Sequence, residues 1–168
     1  MTAPERRYDA LMTANTHEAR FAALKLTLPP APAPMATYAT AVTSGNLLYT
    51  AGHGPLRPDG TFVMGKVGAD LDVAGGREAA RHTALAVLST VRAHLGSLDR
   101  VVRMVKVLGL VNATPEFGQH PQVINGFSDL MVEIFGEAGM AARSAFGAVS
   151  LPSGIAVEIE AIFEISPR

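Results

Sequence analysis

The C-terminal segment alternates between apolar and acidic residues with a period of two. We predict one strand from Ile155 to Ile165. Its apolar positions are Val157, Ile159, Ala161, Phe163 and Ile165, and they alternate with Glu158, Glu160, Ile162 and Glu164. This spacing is typical of a strand with one face buried and one face accessible. The fold must therefore contain a sheet with a core on one face.

Two segments carry apolar residues at helical spacing instead. Ala80, Ala84, Val87, Leu88, Val91 and Leu95 share one face of a helix predicted to begin near Val73–Gly76 and to end at about Leu95. Ile124, Phe127, Leu130, Met131, Ile134 and Phe135 do the same for a second helix, from about His120 to Phe135. The glycines that follow, Gly96 and Gly136, are typical helix ends.

The remaining segments predict further strands. These are Tyr38–Val42 and Asn46–Ala51, joined by a turn at residues 43–46, a weak strand at Thr61–Met64, Val101–Val111 and Ser144–Val149. In the long strand, alternation places Val101, Arg103, Val105 and Val107 on one side and Val102, Met104, Lys106 and Leu108 on the other. Two helices can cover only one face of such a sheet, so we predict an α+β fold. Apolar residues on both strand faces predict that oligomer packing covers the other face.

The first 34 residues are predicted to be an addition to a single domain formed by residues 35–168. A polar lead precedes a short helix from Asn15 to Lys25, with Asn15 as its cap and Glu18 at the capping-box position. The proline-rich segment Leu28–Pro34 then forms a stiff, packed strap.

Composition narrows the classes of function. The 168 residues carry a net charge of −1 and no cysteine, which argues against nucleic-acid binding and excludes disulfides and a thiol nucleophile. No apolar run is long enough to span a bilayer, and we expect a cytoplasmic protein. The five histidines lack metal-ligand spacing, so a metal site is not expected.

Three positions are candidates for chemistry, and each has a plainer interpretation. Arg143 stands before an apolar strand and offers a planar fork that matches a carboxylate, although a lone arginine is more often a surface residue. Glu158 could activate a water, or could belong with Glu160 to a solvated strand face. His53, between two glycines, could contact a ligand or be a turn histidine.

A set of dispersed residues resembles the RidA (YjgF-like) family of reactive-intermediate deaminases over roughly residues 32–165. The set is Tyr38, Gly52, Asn125, Arg143-Ser144, Leu151-Pro152 and the run from Val157 to Ala161. The resemblance implies a chorismate-mutase-like fold and a homotrimer, with the sheets forming a central barrel and the sites lying between subunits. Two positions depart from the family pattern: His53 stands where a glutamine is usual, and Ala145 where a cysteine is common.

The resemblance also implies an activity, which is hydrolysis of enamines and imines such as 2-aminoacrylate to 2-keto acids and ammonia, without a cofactor. By position, Arg143 would bind the substrate carboxylate and Glu158 would hold the attacking water. Tyr38, Gly52, Asn125 and Ala145 would line the pocket, and His53 adjoins it. Two other functions stay open: a small-carboxylate ligand-binding or regulatory trimer without turnover, and an endoribonuclease, against which the neutral charge argues.

Overall fold

The computed structural model describes residues 16–34 and 36–167. The helices in this part of the chain are α1 (His17–Ala23), α2 (Val73–Leu95) and α3 (His120–Phe135), and the strands are β1 (Ala41–Ser44), β2 (Leu47–Thr50), β3 (Val101–Asn112), β4 (Ala142–Ala148) and β5 (Val157–Ile165). Short 3-10 helices lie at Leu98–Arg100, Gly136–Gly139 and Pro152–Gly154. None of the described helices combines the length and the apolar character needed to cross a bilayer.

The five strands form one mixed sheet in the order β1-β2-β5-β3-β4. β4 pairs with β3 in parallel, and the other neighbours are antiparallel. Although β4 and β5 follow one another in the chain, β3 lies between them. The connection at residues 149–156 therefore takes the chain from the edge of the sheet to its centre.

Both long helices pack on one face of the sheet, which we call the helix face. The core there joins residues of α2 and α3 to the buried side of the strands, for example Leu88, Phe127, Val107, Ile159 and Phe163. The α+β prediction is confirmed, and α2 and α3 have the predicted bounds.

No described helix covers the other side of the sheet, which we call the open face. Its apolar residues include Tyr49, which is paired with Ile162, and Phe146, which is paired with Leu110. Tyr49 is 40% exposed and Phe146 is 48% exposed. These side chains leave an apolar surface for which the described chain itself provides no cover.

Two glycines allow α3 to lie close to its neighbours. A Cβ at Gly109 of β3 would lie 2.7 Å from Cδ1 of Ile124, and a Cβ at Gly126 would overlap the carbonyl oxygen of Arg77 on α2. Because both positions lack a side chain, α3 sits directly on β3 and against α2. Its N-terminal half is thereby fixed above the edge strand β4.

The predicted alternation along β3 is wrong. In its first seven residues the buried positions are Val101, Met104 and Val107, because register shifts occur between residues 101 and 103 and between 104 and 106. Each shift adds a residue without a partner and turns the following side chains to the opposite face. Met104 is therefore in the core, whereas Val105 is exposed.

Other sequence predictions need smaller corrections. Tyr38 precedes β1 rather than belonging to it, and the weak strand at Thr61–Met64 reduces to two isolated bridges, Leu56 to Phe62 and Met64 to Ile155. β4 begins two residues earlier than predicted, at Ala142, and β5 two residues later, at Val157.

The N-terminal helix is tied to the core by contacts that its sequence did not indicate. Thr16 is its N-cap, with its hydroxyl accepting from the Ala19 N–H; Asn15, where the cap was expected, lies outside the described residues. Glu18 does not close a capping box. Its carboxylate accepts from the Leu98 N–H at 2.9 Å and pairs with Arg92 of α2 at 3.1 Å.

Candidate functional site

Arg143 lies on the helix face of the edge strand β4, beneath α3. Its Nη1 donates to Asn125 Oδ1 at 2.9 Å and to Ser128 Oγ at 3.0 Å, and its Nη2 lies 3.5 Å from the Pro121 carbonyl oxygen. All three acceptors are neutral. Within the described residues no carboxylate pairs with this half-buried guanidinium.

These bonds determine which part of the guanidinium remains for a ligand. Nη1 donates both of its hydrogens to side chains of α3. Nε and Nη2 point to the same side of the guanidinium. Of these two, only Nη2 has a partner among the described residues, the Pro121 carbonyl oxygen at 3.5 Å. A carboxylate can accept from both of these nitrogens at once. The orientation of Arg143 therefore favours bidentate binding of a planar anion.

Ser128 is a hydrogen-bond partner of Arg143 that the sequence analysis missed. It stands three positions after Asn125 on α3, so both side chains share one helix face and reach the same nitrogen. The i,i+3 spacing of two hydrogen-bonding residues on a predicted helix was the available signal.

The same side of β4 continues from Arg143 through Ala145 to Gly147. Successive side chains of a strand alternate, and Arg143, Ala145 and Gly147 pair with the buried positions 107, 109 and 111 of β3. His120 covers Gly147, since a Cβ on that glycine would lie 2.6 Å from His120 Nε2. Small residues thus line this side of β4 beyond the guanidinium, and we call Arg143, Ala145 and Gly147 the β4 strip.

Glu158 lies on the open face of β5, half-buried beside Gly52. A Cβ on Gly52 would overlap Glu158 Oε1, so the carboxylate fills the space that a side chain at Gly52 would occupy. Burial, with the charge of Glu160 as a second cause, raises the pKa of Glu158 above its ordinary value. The carboxyl is therefore a better proton acceptor than a solvated glutamate.

Tyr38 lies at the same end of the sheet as Gly52. The Ala51 N–H donates to the Thr40 carbonyl oxygen, which extends the β1–β2 pairing to the residues just after Tyr38. The Tyr38 side chain is 45% exposed. A backbone bond thus ties the segment after Tyr38 to the segment that carries Gly52, the residue that contacts Glu158.

The interpretation of His53 as a ligand contact is wrong for this chain. Its side chain is only 3% exposed and points to the helix face, where Nδ1 donates to the Ala51 carbonyl and Nε2 lies 2.8 Å from Thr90 Oγ1. Burial lowers the pKa of His53, although the bond to Ala51 partly opposes this effect. The neutral ring accepts from Thr90, and both nitrogens are engaged inside the core.

We call Arg143, Asn125 and Ser128 the Arg143 cluster, and Glu158 and Gly52 the Glu158 cluster. The two clusters are not brought together within one chain. Glu158 pairs with Leu110 on the open face, whereas Arg143 pairs with Val107 on the helix face and lies two strands away. Two strand spacings and three residues along the strand separate their Cα atoms by about 14 Å. The side chains also point to opposite sides of the sheet. The two side chains of one chain therefore cannot contact the same small ligand.

Within residues 16–34 and 36–167, no three His, Asp or Glu side chains converge as potential metal ligands. What the clusters offer instead is a cation that can bind a carboxylate and a desolvated carboxyl that can accept a proton.

Comparison with known protein families gives one match that spans most of the chain. A family model described as "YjgF/chorismate_mutase-like, putative endoribonuclease" matches residues 18–159. Among curated proteins, Protein TCP17 of Trypanosoma cruzi is 44% identical over 144 residues, which cover 85% of this chain and 90% of that protein.

Solved structures agree with this match. The crystal structure of Atu1372 from Agrobacterium tumefaciens is 40% identical with a TM-score of 0.81, covering 95% of this chain and 96% of that one. A structure from Shewanella oneidensis, whose description is "putative endoribonuclease", is 30% identical with a TM-score of 0.86 and covers 90% of this chain and 100% of its own.

Proposed function

The chain belongs to the YjgF/chorismate-mutase-like family, and we propose that it is a hydrolytic deaminase of small 2-imino and enamine acids. The products would be a 2-keto acid and ammonia. We further propose that it acts as a homotrimer whose sites lie between subunits, and that it works in the cytoplasm.

One observation carries this proposal: the half-buried guanidinium of Arg143 has only neutral partners among the described residues. A cation removed from water is costly unless an anion compensates it. Here two side chains of α3 fix its orientation but leave its charge unpaired. A small carboxylated metabolite supplies the missing charge and accepts from Nε and Nη2.

The proposed reaction uses one water and no oxidant or reductant. Glu158, as the carboxylate, takes a proton from the water while the oxygen adds to the imine carbon. The proton then passes to the nitrogen, which gives a carbinolamine. Transfer of the hydroxyl proton to the same nitrogen lets the carbon–nitrogen bond break, so that the keto group forms and ammonia leaves. An enamine reaches the same path after its carbon end takes up a proton. Because such imines also hydrolyse unaided, positioning of water and substrate supplies much of the rate.

The position of Glu158 supports a site shared by two subunits. A substrate bound on the helix face of β4 cannot reach Glu158 of its own chain through the sheet. The apolar open face, with Tyr49 and Phe146 exposed, offers a surface for packing between copies. In a cyclic assembly, the Arg143 cluster of one copy can face the Glu158 cluster of the next.

Release of ammonia and keto acid from freshly generated 2-aminoacrylate is the direct test. The shared site is tested by mixing two inactive variants, Arg143→Ala and Glu158→Gln, after dissociation and reassembly. In a cyclic trimer, about one quarter of the sites then combine an intact Arg143 with an intact Glu158. Turnover near one quarter of that of the unmodified protein supports the proposal. A mixture that is as inactive as the two separate variants contradicts it.

A ligand-binding trimer without turnover is the second candidate, since the Arg143 cluster would serve it equally well. Arg143-dependent binding of keto acids without ammonia release would favour it. The endoribonuclease named in the description of the family model is less well supported. RNA binding depends on several cations that neutralise phosphates, and the net charge here is −1 with a single cation at the site.

A further inference from the structure

The β4 strip has a second end, opposite Arg143. Ala145 follows Arg143 along it, and His120, the first residue of α3, lies over Gly147 at its far end. A side chain at residue 147 would occupy the position of the imidazole, so the glycine provides the space in which the ring lies. Arg143 and His120 therefore border one continuous strip of the edge strand.

The ring of His120 differs from the other histidines of the described chain. His17 bonds the Val101 carbonyl, His53 bonds Ala51 and Thr90, and His94 bonds Thr43. His82 lies 3.6 Å from the Glu78 carboxylate. The half-exposed His120 ring has an edge contact with Phe117, at a centroid distance of 5.3 Å, but no polar partner among the described residues.

The electrostatic surroundings of this ring favour an anion. His120 begins a helix of 16 residues whose N-cap residue, Gln119, makes no side-chain capping bond. The N-terminal end of a helix carries a partial positive charge. Arg143 adds a full charge that no described carboxylate compensates, so both ends of the β4 strip attract negative groups.

We infer that His120 is a second anchor for the substrate and that the enzyme prefers 2-imino acids whose side chain ends in a second carboxylate. This inference rests on the proposed function. Arg143 binds the carboxylate next to the imine carbon, and an N–H of His120 donates to the distal carboxylate. His120 precedes Asn125, which holds the guanidinium, by five residues, or about 7.5 Å along a helix. A four- or five-carbon dicarboxylate can reach both anchors, whereas a three-carbon acid such as 2-aminoacrylate binds at Arg143 alone.

Binding of two stable keto acids tests the inference without requiring turnover. The probes are 2-oxoglutarate and 2-oxopentanoate, which share a five-carbon chain but differ in the distal carboxylate. Calorimetry on the intact oligomer should show about tenfold tighter binding of 2-oxoglutarate, the effect of one hydrogen bond to a charged group. His120→Ala should abolish this preference and leave 2-oxopentanoate binding unchanged. His94→Ala, at an exposed histidine of α2, is the matched control and should change neither.

Gly147→Ala provides a second variant in which His120 is retained but displaced. Its added Cβ meets only the end of a side chain, so the fold should be preserved while the preference for 2-oxoglutarate falls. The inference is overturned if the unmodified protein shows no preference, or if the preference survives in both variants.

The proposed function fails in a different way. If Arg143→Ala leaves both affinities unchanged, the carboxylate anchor itself is wrong and the dicarboxylate inference falls with it. If Arg143→Ala weakens both ligands while His120→Ala changes neither, only the inference about His120 is overturned.

Discussion

The Arg143 cluster and the Glu158 cluster have opposite electrostatic properties and lie on opposite faces of one sheet. Around Arg143, neutral acceptors on α3 orient a positive charge without neutralising it. Around Glu158, burial and a second carboxylate, Glu160, disfavour a negative charge and raise its pKa. Neither cluster contains the counter-charge that would stabilise it.

In the proposed function this difference gives the two clusters separate tasks. The orienting bonds would prepare Arg143 to bind an anion, and desolvation would prepare Glu158 to accept a proton. Such perturbed groups are frequent at functional sites. If the two clusters meet across a subunit boundary, binding and proton transfer come from different chains, and each can be altered separately.

The largest expected effect is on turnover, in Glu158→Gln. Glutamine keeps the size and polarity of the side chain but cannot accept the proton of the water. We expect the turnover rate to fall by about a hundredfold or more, the usual contribution of a general base, with little change in keto-acid affinity. Rate and binding measurements on the same preparation separate the two effects.

Glu164→Gln is the matched control for that change. It lies on the same face of the same strand, where its carboxylate accepts from Asn46 Nδ2. Its turnover should stay close to that of the unmodified protein. Equal losses in the two variants would show that any acidic residue on this face matters equally, and Glu158 would lose its special role.

The second prediction concerns the opposite cluster and affects affinity. In Arg143→Lys the charge remains, but a lysine cannot donate to Asn125, Ser128 and a bidentate carboxylate together. Losing charge-assisted bonds of this kind costs about 1.5–3 kcal/mol, or about ten- to a hundredfold in affinity. Arg77→Lys, at an exposed arginine that pairs with Asp129, serves as the control in calorimetric titrations. Unchanged affinity in Arg143→Lys would place the carboxylate site elsewhere.

The fold was largely predictable because its signals are local. The periods of α2, α3 and β5 reflect the face that each element buries, and the sequence displays that face directly. The register of β3 was not predictable, because its shifts depend on the pairing with β5. The central position of β5 is likewise a property of the whole sheet rather than of the turn at residues 149–156.

Several residues of the two clusters were predictable from the sequence, but their geometry was not. Arg143, Asn125 and Ala145 do lie together, and so do Gly52 and Glu158. That they occupy opposite faces follows from strand order and register, which one sequence does not display. His53 was misjudged because its flanking glycines suggested an accessible turn, whereas a hydrogen bond to Thr90, 37 positions away, holds it in the core.

The third prediction tests how closely the Glu158 cluster is packed. In Gly52→Ala, the new Cβ would overlap Glu158 Oε1 and force the carboxylate to move. A displacement of about 1 Å can cost up to a hundredfold in rate, so we expect turnover to fall by roughly ten- to a hundredfold. Gly118→Ala is the control, since a Cβ there meets open space. Normal turnover in Gly52→Ala would mean that the position of Glu158 is not critical.

The smallest expected effect distinguishes Glu160 from Glu158. The charge of Glu160 helps to raise the pKa of Glu158, so Glu160→Gln should lower that pKa. If Glu158 must be ionised to accept a proton, the rate falls as the pH drops through its pKa. Removing Glu160's charge should therefore move the acidic limb of the pH–rate profile to lower pH and change the neutral rate little. The measurement is kcat/KM across the acidic and neutral range, with the oligomeric state checked at each pH. If the acidic limb does not shift, either Glu158 is not the titrating group or the two carboxylates do not interact. In both cases the charge of Glu160 would not raise the pKa of a catalytic carboxyl, and the electrostatic difference between the Glu158 cluster and the Arg143 cluster would have no effect on the rate.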